Sequence, residues 1–151
     1  MSIEKIVVVE DHESLNHQLS YYLRDKKYTV ASTTTLAETR KYLAQDSFDF
    51  VLADLRLPDG TCLELLKELQ ERPQRPVVVI MTGEQAVEPA VECMRHGAFH
   101  YFVKPLSFDE LEAVLARAGE LNHLRHVTKY YSKHIGDDQD GEILGRSPAI
   151  E

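Results

Sequence analysis

Ile6-Val7-Val8-Val9-Glu10-Asp11 is the stretch on which the fold turns. Four β-branched apolar residues without a polar interruption describe a strand covered on both faces, as the strands of parallel sheets are. The run stops at two carboxylates. Leu15, Leu19, Tyr22 and Leu23 then recur at helical spacing, so the strand leads into an amphipathic helix ending near Lys26-Lys27.

The same alternation repeats outward along the chain. Tyr28 to Ala31 reads as a second strand, with a second helix through Leu36, Tyr42 and Leu43. Phe48 to Ala53, running into Asp54, is the third strand; Pro58-Asp59-Gly60 supplies turn chemistry, and a third helix follows through Leu63, Leu65, Leu66 and Leu69. Val77 to Met81 is the fourth strand, ended by Thr82-Gly83, and a fourth helix runs from about Ala86 to Arg95 before Gly97. Phe99 to Val103 is the fifth, closing at Lys104-Pro105. Ser107 and Glu110 are spaced as a capping box for a fifth helix. Five βα units in series predict an α/β fold, a doubly wound five-stranded parallel sheet with helices on both faces.

Composition narrows the function classes. A chain of 151 residues with 43% hydrophobic and 28% charged residues is sized for one packed domain, with a short tail to spare. Lys plus Arg number 17 against 25 Asp plus Glu, a net charge of −8, which argues against this chain gripping a nucleic-acid backbone. Cys62 and Cys93 form no CxxC motif and suit a reducing compartment as small core residues. No apolar run approaches the ~20 residues of a membrane span, and the opening Met1 to Lys5 carries no signal-peptide pattern, so the expected location is cytoplasmic.

Ligands of open parallel sheets bind beyond the carboxyl ends of the strands. Strand one delivers Glu10 and Asp11 there, strand three Asp54, strand four Thr82 and strand five Lys104. An acid after a strand is ordinarily a helix cap or turn residue, and Lys-Pro is ordinarily a loop. The joint pattern is harder to obtain that way. Crowded carboxylates repel one another unless a cation neutralises them, and oxygen-only ligands favour a hard ion such as Mg²⁺. Lys104 and Thr82 can meet phosphoryl oxygens, so the implied chemistry is attack of a carboxylate on phosphorus.

At this point the chain resembles a response-regulator receiver domain, over about Ile6 to Ala118. The matching stretches are Ile6 to Asp11, Val51 to Gly60, Val79 to Gly83 and Tyr101 to Pro105. The resemblance implies a flavodoxin-like strand order, 2-1-3-4-5. It implies that Asp54 is phosphorylated by a sensor histidine kinase, and that Mg²⁺ is held by Glu10, Asp11, Asp54 and the backbone carbonyl of Arg56. It further implies that Lys104, helped by a cis peptide before Pro105, and Thr82 contact the phosphoryl group, and that Tyr101 is a switch aromatic. Glu10 departs from the family, whose first acid is more often Asp.

The fifth helix meets only Gly119 as a weak breaker before Gly136, and Leu121, Leu124, Thr128 and Tyr131 continue its spacing as a short coiled seam. Residues 136–141 form an acidic linker. Ile143 to Ile150 resembles the entry to the ATPase domain of sigma-54-dependent, nitrogen-regulator-like activators. The expected division is therefore a receiver at 1–118, a helical extension and linker at 119–142, and the start of an output domain at 143–151. No GxxxxGK[ST] occurs, so this chain does not hydrolyse ATP by that route. Homodimerisation through the fourth helix, fifth strand, fifth helix and extension is expected. Two other readings stand beside this one: a stand-alone receiver, and an aspartate-nucleophile phosphatase. Arg56 opposes the second, because such enzymes carry an acid two residues after the nucleophile. His123, His126 and His134 are expected to be surface residues, lacking a fourth zinc ligand.

Overall fold

The computed structural model describes residues 3–83 and 87–135, with Val87 and 122–135 described as helical backbone alone. The main sheet contains β1 (Lys5–Val9), β2 (Thr29–Thr33), β3 (Phe50–Asp54), β6 (Val77–Thr82) and β7 (His100–Val103). All its pairs are parallel, in the order β2-β1-β3-β6-β7. Counting only these strands, that is the expected 2-1-3-4-5. The helices are α1 (Glu13–Asp25), α2 (Leu36–Gln45), α3 (Cys62–Gln70), α4 (Val87–Arg95) and α5 (Phe108–Ile135).

Side chains alternate across each strand, and both faces are covered. Val7, Val9, Val51 and Ile80 point toward α2, α3 and α4, where Leu36, Leu65, Leu66 and Cys93 meet them. Ile6, Val8, Leu52 and Val79 point the other way, against Leu19 and Leu23 of α1 and Leu111 and Leu115 of α5. The unbroken apolar runs of the sequence are the record of this double cover. Cys62 and Cys93 are both buried thiols, as their core reading requires.

Between β3 and α3 the chain makes a small antiparallel hairpin, β4 (Arg56–Leu57) with β5 (Gly60–Thr61), where only a turn was expected. Gly60 has φ +146°, a conformation that side chains disfavour. Asp59 at its tip accepts hydrogen bonds from the N–H groups of Leu36 (2.9 Å) and Ala37 (3.0 Å), so the hairpin also caps α2. Ser107 caps α5, accepting from the Glu110 N–H at 3.3 Å. The backbone of α5 passes through Gly119 without a break and remains helical to Ile135. The side chains of Leu124, Thr128, Tyr131, His123, His126 and His134, the linker, and residues 143–151 lie outside the described residues. Among the described residues, no helix is long and apolar enough to cross a membrane.

Candidate functional site

Sheet register gathers the chemistry on one rim. Val9 lies beside Ala53, Asp54 beside Met81, and Thr82 beside Val103, so the residues ending each strand are neighbours. Ladder-like contacts continue one step past the strands: the Glu10 N–H donates to the Thr33 carbonyl (3.0 Å) and the Lys104 N–H to that of Thr82 (2.8 Å). Glu10, Asp11 and Asp54 each place a carboxylate oxygen within 4.8 Å of the others.

Their environments differ. Glu10 is 1% exposed, Asp54 is half-buried, and Asp11 is open to solvent. Lys104 reaches from β7 across the sheet end, with Nζ 2.8 Å from Glu10 Oε1 and 3.2 Å from Asp54 Oδ2. The second Glu10 oxygen accepts the His12 N–H at 3.0 Å, so neither oxygen of this buried carboxylate lacks a partner. The lysine bond preceding Pro105 is cis, as expected.

Three carboxylates against one ammonium leave an excess of negative charge. Burial, and then the nearby Glu10 charge, push the Asp54 carboxyl above its ordinary value despite Lys104 and a backbone N–H from Arg56. Burial alone would lower Lys104, but its bonds to Glu10 and Asp54 outweigh that and raise it. A divalent cation is the natural complement of such a set, and its all-oxygen donors fit Mg²⁺.

The sequence therefore identified four groups that the structure brings into direct proximity: Glu10, Asp11, Asp54 and Lys104. Thr82 ends the adjacent strand, buried, its hydroxyl donating to the Gly83 carbonyl at 3.0 Å. Arg56 borders Asp54 through its backbone, while its side chain is exposed. Tyr101 sits one layer in from the rim, beside Ile80, partly buried against the α2–α3–α4 core. Two participants went unnoticed: the His12 N–H, and Asn16, whose amide donates to the Glu10 carbonyl at 2.8 Å. A polar residue on the buried stripe of an amphipathic helix was the available signal for Asn16.

Residues 6–116 match the family model described as response regulator receiver domain. The regulatory protein AtoC of Escherichia coli K12 is 30% identical over 150 residues, covering 99% of this chain and 32% of AtoC. The response regulator protein PilR of Pseudomonas aeruginosa is 34% identical over 151 residues, again 99% of this chain and 32% of the relative. This chain thus spans about a third of the length of the curated relatives it matches. Among solved structures, the beryllofluoride-activated NtrC4 receiver domain dimer superposes with a TM-score of 0.71 at 28% identity, covering 77% of this chain and 96% of that one. Full-length FixJ from B. japonicum does so with a TM-score of 0.77 at 26% identity, covering 91% and 68% respectively.

Proposed function

The chain belongs to the response regulator receiver domain family, and from that premise we propose that it is a phosphorylation switch of two-component signalling with Asp54 as its phosphoacceptor. The carrying observation is the junction of Asp54, Glu10, Asp11 and Lys104 at one sheet rim. An Asp54 carboxylate oxygen attacks the phosphorus of a sensor kinase's phosphohistidine; the P–N bond breaks, the imidazole leaves, and an acyl phosphate remains. Lys104, already 3.2 Å from Asp54, neutralises a phosphoryl oxygen, and the Thr82 hydroxyl donates to another. Glu10, Asp11, Asp54 and the Arg56 carbonyl would hold Mg²⁺, which supplies further charge neutralisation on the transferring group. Tyr101 turns inward behind Thr82 as the site fills.

Output is proposed to run through pairing of two chains. Val91 and Met94 of α4, Val103 of β7 and Phe108 of α5 are exposed apolar side chains on consecutive elements, which supports a dimer face there. NtrC4, to which the chain is similar, was solved as an activated receiver dimer. In a longer protein the pairing would control a sigma-54-dependent transcription activator, consistent with the resemblance of Ile143 to Ile150 to such a domain's entry. Uptake of one phosphoryl group per chain, rather than turnover of substrate, is the expected behaviour in a cytoplasmic setting.

Incubation with a small acyl phosphate and Mg²⁺, followed by intact-mass measurement, tests the reading. One added phosphoryl group is expected, absent in Asp54→Asn. Rapid turnover of ordinary phosphomonoesters, or unchanged labelling of Asp54→Asn, overturns it.

A further inference from the structure

The peptide bond joining Glu10 to Asp11 has an unusual burden. Its plane sets the directions in which two neighbouring carboxylates leave the backbone, yet it lies just past the last ladder position of β1, where Val9 pairs with Thr33 and Ala53. Strand pairing therefore does not fix the Glu10 carbonyl. Asn16, in α1, does. Its Nδ2 donates to the Glu10 carbonyl at 2.8 Å and to the Thr33 carbonyl at 2.8 Å, and the residue is only 6% exposed. At the other end of the amide, Oδ1 accepts from the Ser20 hydroxyl at 3.1 Å, and Ser20 in turn meets Ser32 Oγ at 2.6 Å.

This arrangement specifies asparagine. Two carbonyls on one side demand two N–H donors, and a hydroxyl on the other side demands an acceptor. Aspartate would turn an acceptor toward two acceptors. Leucine, the residue type at Leu19 and Leu23 on the same buried stripe, would leave the Glu10 carbonyl without this donor. For packing alone an apolar residue would serve, and what the amide adds is a tie between the Glu10 and Thr33 carbonyls that orients the Glu10–Asp11 peptide plane.

We infer that Asn16 is a positioning residue of the acidic cluster, holding the Glu10–Asp11 peptide so that both carboxylates are preset for a divalent cation. The inference rests on the reading of Glu10, Asp11 and Asp54 as Mg²⁺ ligands. Groups that orient metal ligands without touching the metal commonly change its affinity by 10–100-fold when removed.

The test is a Mg²⁺ titration of the unphosphorylated protein followed by backbone amide NMR shifts. Asn16→Ala is expected to raise the Mg²⁺ Kd by about 10-fold or more, and Asn16→Ser, whose hydroxyl can serve one of the two carbonyls, by less. Leu19→Val removes buried volume from the same helix without touching Glu10, and its Kd is expected to stay within about twofold of the wild type. A folded Asn16→Ala or Asn16→Ser protein with wild-type affinity overturns the inference, as does an equal loss in Leu19→Val. A wild-type protein showing no saturable Mg²⁺ binding would instead overturn the reading of the site itself, and this inference with it.

Discussion

Asp54 is held in a carboxylate form that its surroundings disfavour. Its folded pKa is raised, first by burial and then by Glu10. A carboxyl of this kind contributes stability below its unfolded pKa and loses it as pH rises through the folded one. At neutral pH the ionised group therefore costs stability, and neutralising it returns that cost. Asp54→Asn is expected to raise the metal-free unfolding free energy at pH 7 by about 0.5–2 kcal/mol, an advantage that shrinks as the pH falls through the Asp54 titration. Urea denaturation of both proteins between pH 4 and pH 7, at about those limits, checks it. Mg²⁺ should act oppositely: at ten times its Kd it stabilises the wild type by about 1.4 kcal/mol and the variant by less. Lys104 keeps its charge in either case because Glu10 remains its partner at 2.8 Å.

At the scale of the elements, the joints between them carry specific chemistry. Gly97 follows α4 with φ +106°, and a Cβ there would lie 2.0 Å from Nε2 of Gln70, which donates to the His96 carbonyl at 2.7 Å. The Gln70 side chain can swing aside, at the loss of that bond, but the backbone conformation cannot be exchanged so cheaply. Gly97→Ala is expected to destabilise by roughly 1–2 kcal/mol, read as a lower urea midpoint with unchanged slope. Gly97 was legible in the sequence as the stop of α4. The inner strands β1, β3 and β6 were legible because burial on both faces leaves unbroken apolar runs, whereas the edge strands β2 and β7, part-exposed, were legible mainly from their place in the βα alternation. The hairpin β4–β5 was not, since two-residue strands carry no periodicity. Nor was the capping of α2 by Asp59, a contact spanning 23 residues that local spacing does not encode. In the site, the side chains projecting at strand ends could be read, whereas the His12 N–H and the Asn16 amide act through the backbone and left a fainter trace.

For the whole molecule, the proposed phosphorylation would have to be converted into a change of assembly. Shifting a two-state equilibrium from 1:99 to 99:1 takes about 5.5 kcal/mol. A charge-assisted hydrogen bond contributes roughly 1.5–3 kcal/mol, so in the proposed switch contacts from Lys104 and Thr82 would supply roughly 3–6 kcal/mol, and at the lower end of that range pairing of chains would have to complete the shift. A chain ending at Leu121, the last described side chain packed on the sheet, should keep Asp54 phosphorylation but dimerise at least about 10-fold more weakly once phosphorylated. Sedimentation velocity of the phosphorylated full and shortened chains measures this; equal dimer affinity would assign pairing to the α4–β7–α5 face alone.

The continuity of α5 has a mechanical corollary. From Leu121 to Ile135 the helix advances about 21 Å at 1.5 Å per residue. A rod of that length amplifies whatever happens at its base: tilting it by about 10° sweeps its tip through roughly 4 Å. Small repacking around Leu111 and Leu115 is thereby magnified into a displacement of several ångströms, with no break in the helix along the way to absorb it.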